Sequence, residues 1–188
     1  MTDLTRPHVT AAEFLALEDR DDLAQLLNGD ILVAPPPIPN HQRTVFESAK
    51  LIESLIPNGE VFIAPIELWL DEENIPQPDV VWVAEGGHCV IEEKRLRGAP
   101  ELIVEVRSLG KALIDKRDKY SLYERHGVSE YWIADAAEQF VEVYALMEGK
   151  YTYLGTFGPT DSFISPALGG RTVDLSRIFH PSKPDKAS

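Results

Sequence analysis

A chain of 188 residues, 44% hydrophobic and 26% charged, is long enough for one well-cored globular domain and short for two. Its formal net charge of -13, from 31 acids against 18 lysines and arginines, argues against tight non-specific binding to nucleic acid through a broad basic face. The one cysteine, Cys89, excludes an internal disulfide and a cysteine-rich zinc site, and no apolar run approaches the roughly 20 residues that span a bilayer.

The first residues, Met1 to His8, lack the apolar core of a secretory signal, so a cytoplasmic protein is the simplest expectation. Thr10 and Glu13 have capping-box spacing and predict a short helix through about Glu18. Residues 24–27 and 30–33, joined by Asn28-Gly29, read as a β-hairpin, because this dipeptide readily adopts the positive φ angles of a two-residue turn. Pro35, Pro36 and Pro37 end regular structure, and Asn40 is placed to cap the next helix. That helix carries Val45, Phe46, Ala49, Ile52, Leu55 and Ile56 on one face and stops at Pro57-Asn58-Gly59.

Three strands are expected near 61–70, 79–84 and 101–107, with an exposed loop between the second and third. Residues 111–126 have helical spacing, with Leu113, Ile114, Tyr120 and Tyr123 as inward candidates and Gly127 as the stop. A strand at 129–135, a hairpin of 139–146 with 150–157, and a short helix near 174–179 complete the pattern. Residues 1–180 read as a single domain, and 181–188 as a disordered tail. Consecutive strands followed by a crossover helix imply an α/β (α+β) fold, a mixed sheet flanked by helices.

Within this pattern, acids stand where apolar residues would be expected. Asp79 follows Pro78 at the mouth of Val80-Val81-Trp82-Val83, and Glu105 interrupts Leu102-Ile103-Val104 and Val106. A carboxylate in such a run is costly unless it is neutralised, hydrogen-bonded or bound to a cation. Two on neighbouring strands would repel each other, and a divalent metal between them is one way to relieve this. Asp115 and Lys119 follow on the next helix. Lys94-Arg95-Leu96-Arg97, and Arg107 with Lys111, Lys116, Arg117 and Lys119, are the only basic concentrations.

The ordered set Gln77-Pro78-Asp79-Val80-Val81, residues 98–108 and Asp115 to Lys119, followed by Tyr123, Gly127-Val128 and Glu130-Tyr131-Trp132, resembles the PD-(D/E)XK nuclease superfamily. Within it the chain looks like the Uma-type "putative restriction endonuclease" family, across nearly its whole length. The resemblance implies a restriction-endonuclease-like αβββαβ core with N- and C-terminal β-hairpin elaborations. It also implies Mg2+ held by Asp79, Glu105 and the main-chain carbonyl of Val106, with Mn2+ able to substitute, and DNA as substrate. The usual lysine two residues after the second acid is replaced here by Arg107. The lysine looks transferred to the helix, at Lys119, with Asp115 as an auxiliary residue. Arginine cannot serve as a general base, but Arg107 could clamp a phosphate or act as a local counter-ion. Gln25 stands where many relatives carry a glutamate, which removes a negative charge from the metal environment.

Each residue also has a plainer reading. Asp79 could end a turn, Asp115 and Lys119 could form a helix-surface pair, and Glu105 could be paired internally with Arg107 or Lys119. His41 could face the site or solvent, His88 sits in a loop, and Glu67 fits a solvent-side position. The leading expectation is a Mg2+-dependent endonuclease, with a homodimer supplying one site per DNA strand. The alternative is a catalytically weak or inactive nuclease-fold module acting as a binding or regulatory protein.

Overall fold

The computed structural model describes residues 8–107 and 114–179, with side chains in the second stretch from residue 118 onward. Helix α1, Ala11–Leu15, opens on the expected capping box: Glu13 N–H donates to the Thr10 hydroxyl, and the Thr10 N–H donates to the Glu13 carboxylate at 2.8 Å. It ends at Leu15, short of Glu18. Strands β1, Ala24–Leu27, and β2, Asp30–Val33, pair antiparallel, and the turn between them has φ of 50° at Asn28 and 76° at Gly29.

Helix α2, Pro39–Leu55, begins with proline in its first turn, where no N–H is needed. Asn40 lies inside the helix rather than capping it, and its amide donates to the Ala136 carbonyl at 2.8 Å. Phe46, expected on the inner face, is 55% exposed, whereas His41, Thr44, Val45, Ser48, Leu51 and Ile52 are buried. Strands β3, Glu60–Ile63, and β4, Leu68–Trp69, replace the single strand expected over 61–70. The break falls around Pro65, whose missing N–H cannot continue a ladder.

Strand β5 spans Val80–Val83. The segment expected as an exposed loop then contains β6, Val90–Ile91, and β7, Leu96–Arg97, which join β4 in a small sheet of order β4-β7-β6. Leu96 and Cys89 are buried there. Strand β8, Leu102–Arg107, leads to α3, Ile114–His126, which stops at Gly127 with φ of 86°. Strands β9, Glu130–Asp135, β10, Phe140–Met147, and β11, Lys150–Phe157, follow. A further hairpin unmarked in the sequence, β12 Ser162–Ser165 with β13 Arg171–Asp174, precedes a single 3-10 turn, Leu175–Arg177, where a helix over 174–179 was expected. Residues 181–188 lie outside the described residues.

The main sheet has the order β11-β10-β9-β8-β5-β3. It is mixed: β8 and β9 are parallel, joined through α3, and the other pairs are antiparallel. Alternation along β8 sends Leu102, Val104 and Val106 into a core with α2, Trp132 and the β12–β13 hairpin. Ile103 goes to the opposite core, with Leu122, Tyr123 and Tyr131 beneath α3. The C-terminal hairpin is pegged to the sheet by Glu130, which is wholly buried. Its carboxylate accepts from Trp132 Nε1–H at 2.6 Å, the Ser165 hydroxyl at 3.0 Å and the Ala167 N–H at 2.9 Å. Burial pushes the Glu130 carboxyl above its usual range, and these three donors only partly oppose the shift.

Candidate active site

The sheet register brings the two singled-out acids together. Val80 pairs with Val104 across antiparallel β5 and β8, so continuing by one residue sets Asp79 against Glu105. Asp79 is held from both sides: its carbonyl accepts from Ala64 N–H at 3.0 Å, and its Oδ2 accepts from Val106 N–H at 2.7 Å. The turn-ending role available to Asp79 does not account for its carboxylate, which reaches into β8.

Glu105 is met from α3. Lys119 Nζ donates to both carboxylate oxygens at 3.0 Å, and the Tyr123 hydroxyl donates to Oε1 at 2.7 Å. Lys119 is only 5% exposed. A lysine at that depth needs a counter-charge, and Glu105 supplies one. The Asp115 side chain lies outside the described ones. Tyr123 was expected as a core residue, and the sequence did carry a signal for its second role. It stands four residues after Lys119 and so shares its helix face.

His41, left open between site and solvent, belongs to the site. The residue is 8% exposed and its side chain 10%, and Nε2 lies 3.3 Å from Asp79 Oδ2. Burial alone would draw this ring's proton affinity down, but Asp79, the Val106 main chain and Glu105 more than offset that, so its pKa is raised. Nδ1 is buried with no hydrogen-bond partner among the described residues.

Arg107 departs from the expected geometry. It does share a strand face with Glu105, but its guanidinium turns toward β9 and β10, 3.3 Å from Glu142 and 3.9 Å from Asp135, and lies over the Phe140 ring. The reason is register: Asp135 is its direct partner on β9. Gln25 is buried, and its Oε1 accepts from Gln77 N–H at 3.4 Å. Gln77 in turn donates to the carbonyls of Asp22 and Ala24 at 3.0 Å, which ties the N-terminal hairpin to the segment entering Asp79.

Glu67 is not a solvent-side residue, since its carboxylate pairs with Arg20 and, at 3.4 Å, with Arg95. In the basic run at 94–97, Arg95 and Arg97 lie over the Trp69 ring, 5.7 and 4.8 Å from its centroid. Lys111 lies outside the described residues, and the side chains of Lys116 and Arg117 lie outside the described ones. Among the described residues, no group of three or more His, Cys, Asp and Glu side chains forms a ready-made metal cage. No helix among the described residues is long and apolar enough to cross a membrane.

Chemically, the site offers two carboxylates on adjacent strands at the centre of the sheet, a buried ammonium against one and an imidazole against the other. That set can hold a hard divalent cation and keep a positive charge beside it. The chain is 30% identical over 149 residues to an uncharacterised protein of Synechocystis sp. (strain PCC 6803), an alignment covering 77% of this chain and 84% of that one. Among solved structures, a protein described as a putative nuclease belonging to DUF820, from Anabaena variabilis, superposes with a TM-score of 0.74 at 18% identity. That match covers 91% of this chain and 97% of the other, and it shows a shared nuclease-like fold. Residues 11–176 match the Uma2 family model, described as "Putative restriction endonuclease", and the chain belongs to that family.

Proposed function

We propose that this chain is a metal-dependent hydrolase of DNA phosphodiester bonds, with Asp79 and Glu105 as ligands for Mg2+, or for Mn2+ in its place, and the Val106 carbonyl as a third donor. The observation that carries this reading is the facing of Asp79 and Glu105 across β5 and β8, with Lys119 buried against Glu105. The donor set fits the ion. Mg2+ takes one or two carboxylates and keeps several waters, so no larger cage is required. Asp79 Oδ1 carries no hydrogen bond among the described residues, while Oδ2 fixes the carboxylate in place.

A bound cation supplies a water of lowered pKa and offsets charge on the scissile phosphate. The chain's own residues do the rest. Val106 N–H and His41 hold Asp79, and Lys119 and Tyr123 hold Glu105, so both carboxylates keep one orientation before substrate arrives. Lys119 supplies the positive charge nearest Glu105, suited to steadying charge on the phosphate as it develops. Arg107, engaged with Glu142, is a counter-ion within the sheet face rather than a phosphate clamp. A homodimer would supply a second site for the second strand.

One observation favours a second reading, a nuclease-fold module without activity: both oxygens of Glu105 are already met by Lys119. Calorimetric titration of Mg2+ and Mn2+ into the wild type and into Glu105→Ala separates the two, alongside cleavage assays on supercoiled plasmid, single-stranded DNA and RNA. The expected result is stoichiometric binding that disappears in the variant, with DNA cut only when the ion is present. Absence of binding by the wild type, with every substrate intact, would establish the inactive module instead.

A further inference from the structure

The outer strand of the N-terminal hairpin has an unpaired edge. Its partner β1 is covered on the far side, where Leu26 N–H and C=O both exchange with Ile75. Alternation therefore turns the main-chain groups of Gln25 and Leu27 toward β2, where they meet Leu32 and Asp30. The N–H and C=O groups of Ile31 and Val33 then point outward, and they have no partner among the described residues. Ala34 keeps the same phase, since its N–H turns inward to the Leu23 carbonyl at 3.1 Å.

Natural sheets guard such edges with lysine, proline, a bulge or a cover. β11, an edge of the main sheet, carries Lys150 and a bulge against β10. β2 has neither. Ile31, Leu32 and Val33 are 39%, 39% and 50% exposed, and no charged side chain occurs from Ile31 to Asn40. Two copies with a net charge of -13 repel each other, and an uncharged edge lets them meet with no like charges facing.

The edge is also complementary to itself. Turned end for end about Leu32, it sets Ile31 opposite the second copy's Val33, and Val33 opposite the second copy's Ile31. Four hydrogen bonds then form and no outward group is left over. The neighbouring registers fail. In one, Val33 faces the second copy's Gly29, whose N–H and C=O are already engaged by Glu73 and Val9. In the other, Ile31 faces Pro35, which has no N–H. In the matching register Asp30 stands opposite Ala34, so no like charges are opposed. Ile31 and Val33 share a face with Leu26 and Ala24, and their pairing extends the core that those two form with Phe14.

We propose that a second copy of this chain docks antiparallel along β2 and completes a four-stranded sheet of order β1-β2-β2-β1, with Leu32 on the two-fold axis. Gln25 and Gln77 tie this hairpin to the segment entering Asp79, so the axis relates the two sites through hydrogen-bonded contacts. The pairing needs no bound metal; its use, one site per DNA strand, rests on the reading above. An edge of three residues makes a small interface, so association is expected at about 10 μM rather than as an obligate dimer.

Sedimentation velocity of the full chain, in EDTA and in Mg2+, tests this with Leu32→Glu, Leu32→Lys and an equal mixture of the two. Leu32 is exposed, so neither change should disturb the fold, and circular dichroism checks that it does not. The expected outcome is a reversible dimer in the wild type, weakened at least about tenfold in each variant by like charges on the axis. The mixture should regain it, because opposite charges then meet. A wild type that stays monomeric to about 100 μM, a dimer indifferent to both substitutions, or two monomeric variants that do not associate when mixed would overturn the proposal. The expected pattern in a chain that binds neither Mg2+ nor Mn2+ would sustain the interface and overturn only the metal-dependent reading.

Discussion

Lys119 shows how a single side chain can be fixed by what surrounds it. Its ammonium is inside the protein and its counter-charge, Glu105, is nearly so, with side-chain exposures of 6% and 15%. Replacing only one member strands the other. Lys119→Met should therefore destabilise the metal-free protein by about 3 kcal/mol, measured as a shift in urea midpoint at constant slope. If Glu105 holds the ion, saturating Mg2+ should restore more stability to the variant than it adds to the wild type, because the ion takes over the neutralising role. An equal effect of Mg2+ on both proteins would argue against an ion at Glu105. At this scale the sequence was readable where an acid interrupts an apolar run, as at Glu105, and where a helix follows with a lysine. It was silent on direction. Glu105 and Arg107 alternate onto one face as expected, but Glu105 is met from α3, while Arg107 turns to the acids that stand across β9 and β10. Nothing local to residues 105–107 discloses those partners.

At the scale of elements, turn chemistry was legible and interruptions were not. Asn28-Gly29, Glu148-Gly149 and Gly127 each mark a boundary seen in the structure, because backbone angles of positive φ leave a residue signature. The stretch from 84 to 101 reads as solvated, with its glycines, glutamates and lysines, yet it folds back as β6 and β7 against β4. Strands of two residues are too short to show alternation, and their stability comes from tertiary packing of Leu68 and Leu96. Cys89 reports on whether this insert is formed. Burial, with Glu101 nearby adding to it, pushes its thiol from 9.0 up to about 11. Since the folded value lies above the unfolded one, the associated stability is present below pH 9.0 and is lost as pH rises toward about 11. Native protein should react slowly with Ellman's reagent at pH 8, where roughly one thiol in a thousand is ionised, and Cys89→Ser should flatten the alkaline loss of stability. Rapid labelling under native conditions would mean that the insert opens freely.

At the scale of the whole molecule, order was the strongest signal: helix, three strands, helix, strand, with hairpins at both ends. The comparison fold and the family match agree with that order. Net charge sets the terms on which such a fold can meet DNA. With a charge of -13 and arginines 20, 95 and 107 each paired with acids, part of the described positive charge is already neutralised within the protein. Association should then rely on the bound ion. Fluorescence anisotropy with a labelled duplex should show binding that EDTA abolishes near physiological salt. With divalent ions present, the log–log salt slope should be shallower than the roughly -5 to -9 of proteins making 6–10 phosphate contacts. A steep slope, or binding that persists in EDTA, would point to a basic surface provided by residues 108–117 or by a second copy.

Glu130 has a bearing on damaged copies of this chain. A copy ending before Ser165 would lose two of the three donors to that carboxylate, and with them Leu168, Val173, Leu175, Ile178 and Phe179 from the core that holds Trp132. Such a fragment retains Asp79, Glu105 and Lys119, yet the strand beside Glu105 has lost much of the apolar cover on its Trp132 face. Late-truncated products would thus go to the cell's proteases rather than persist as a partly assembled site.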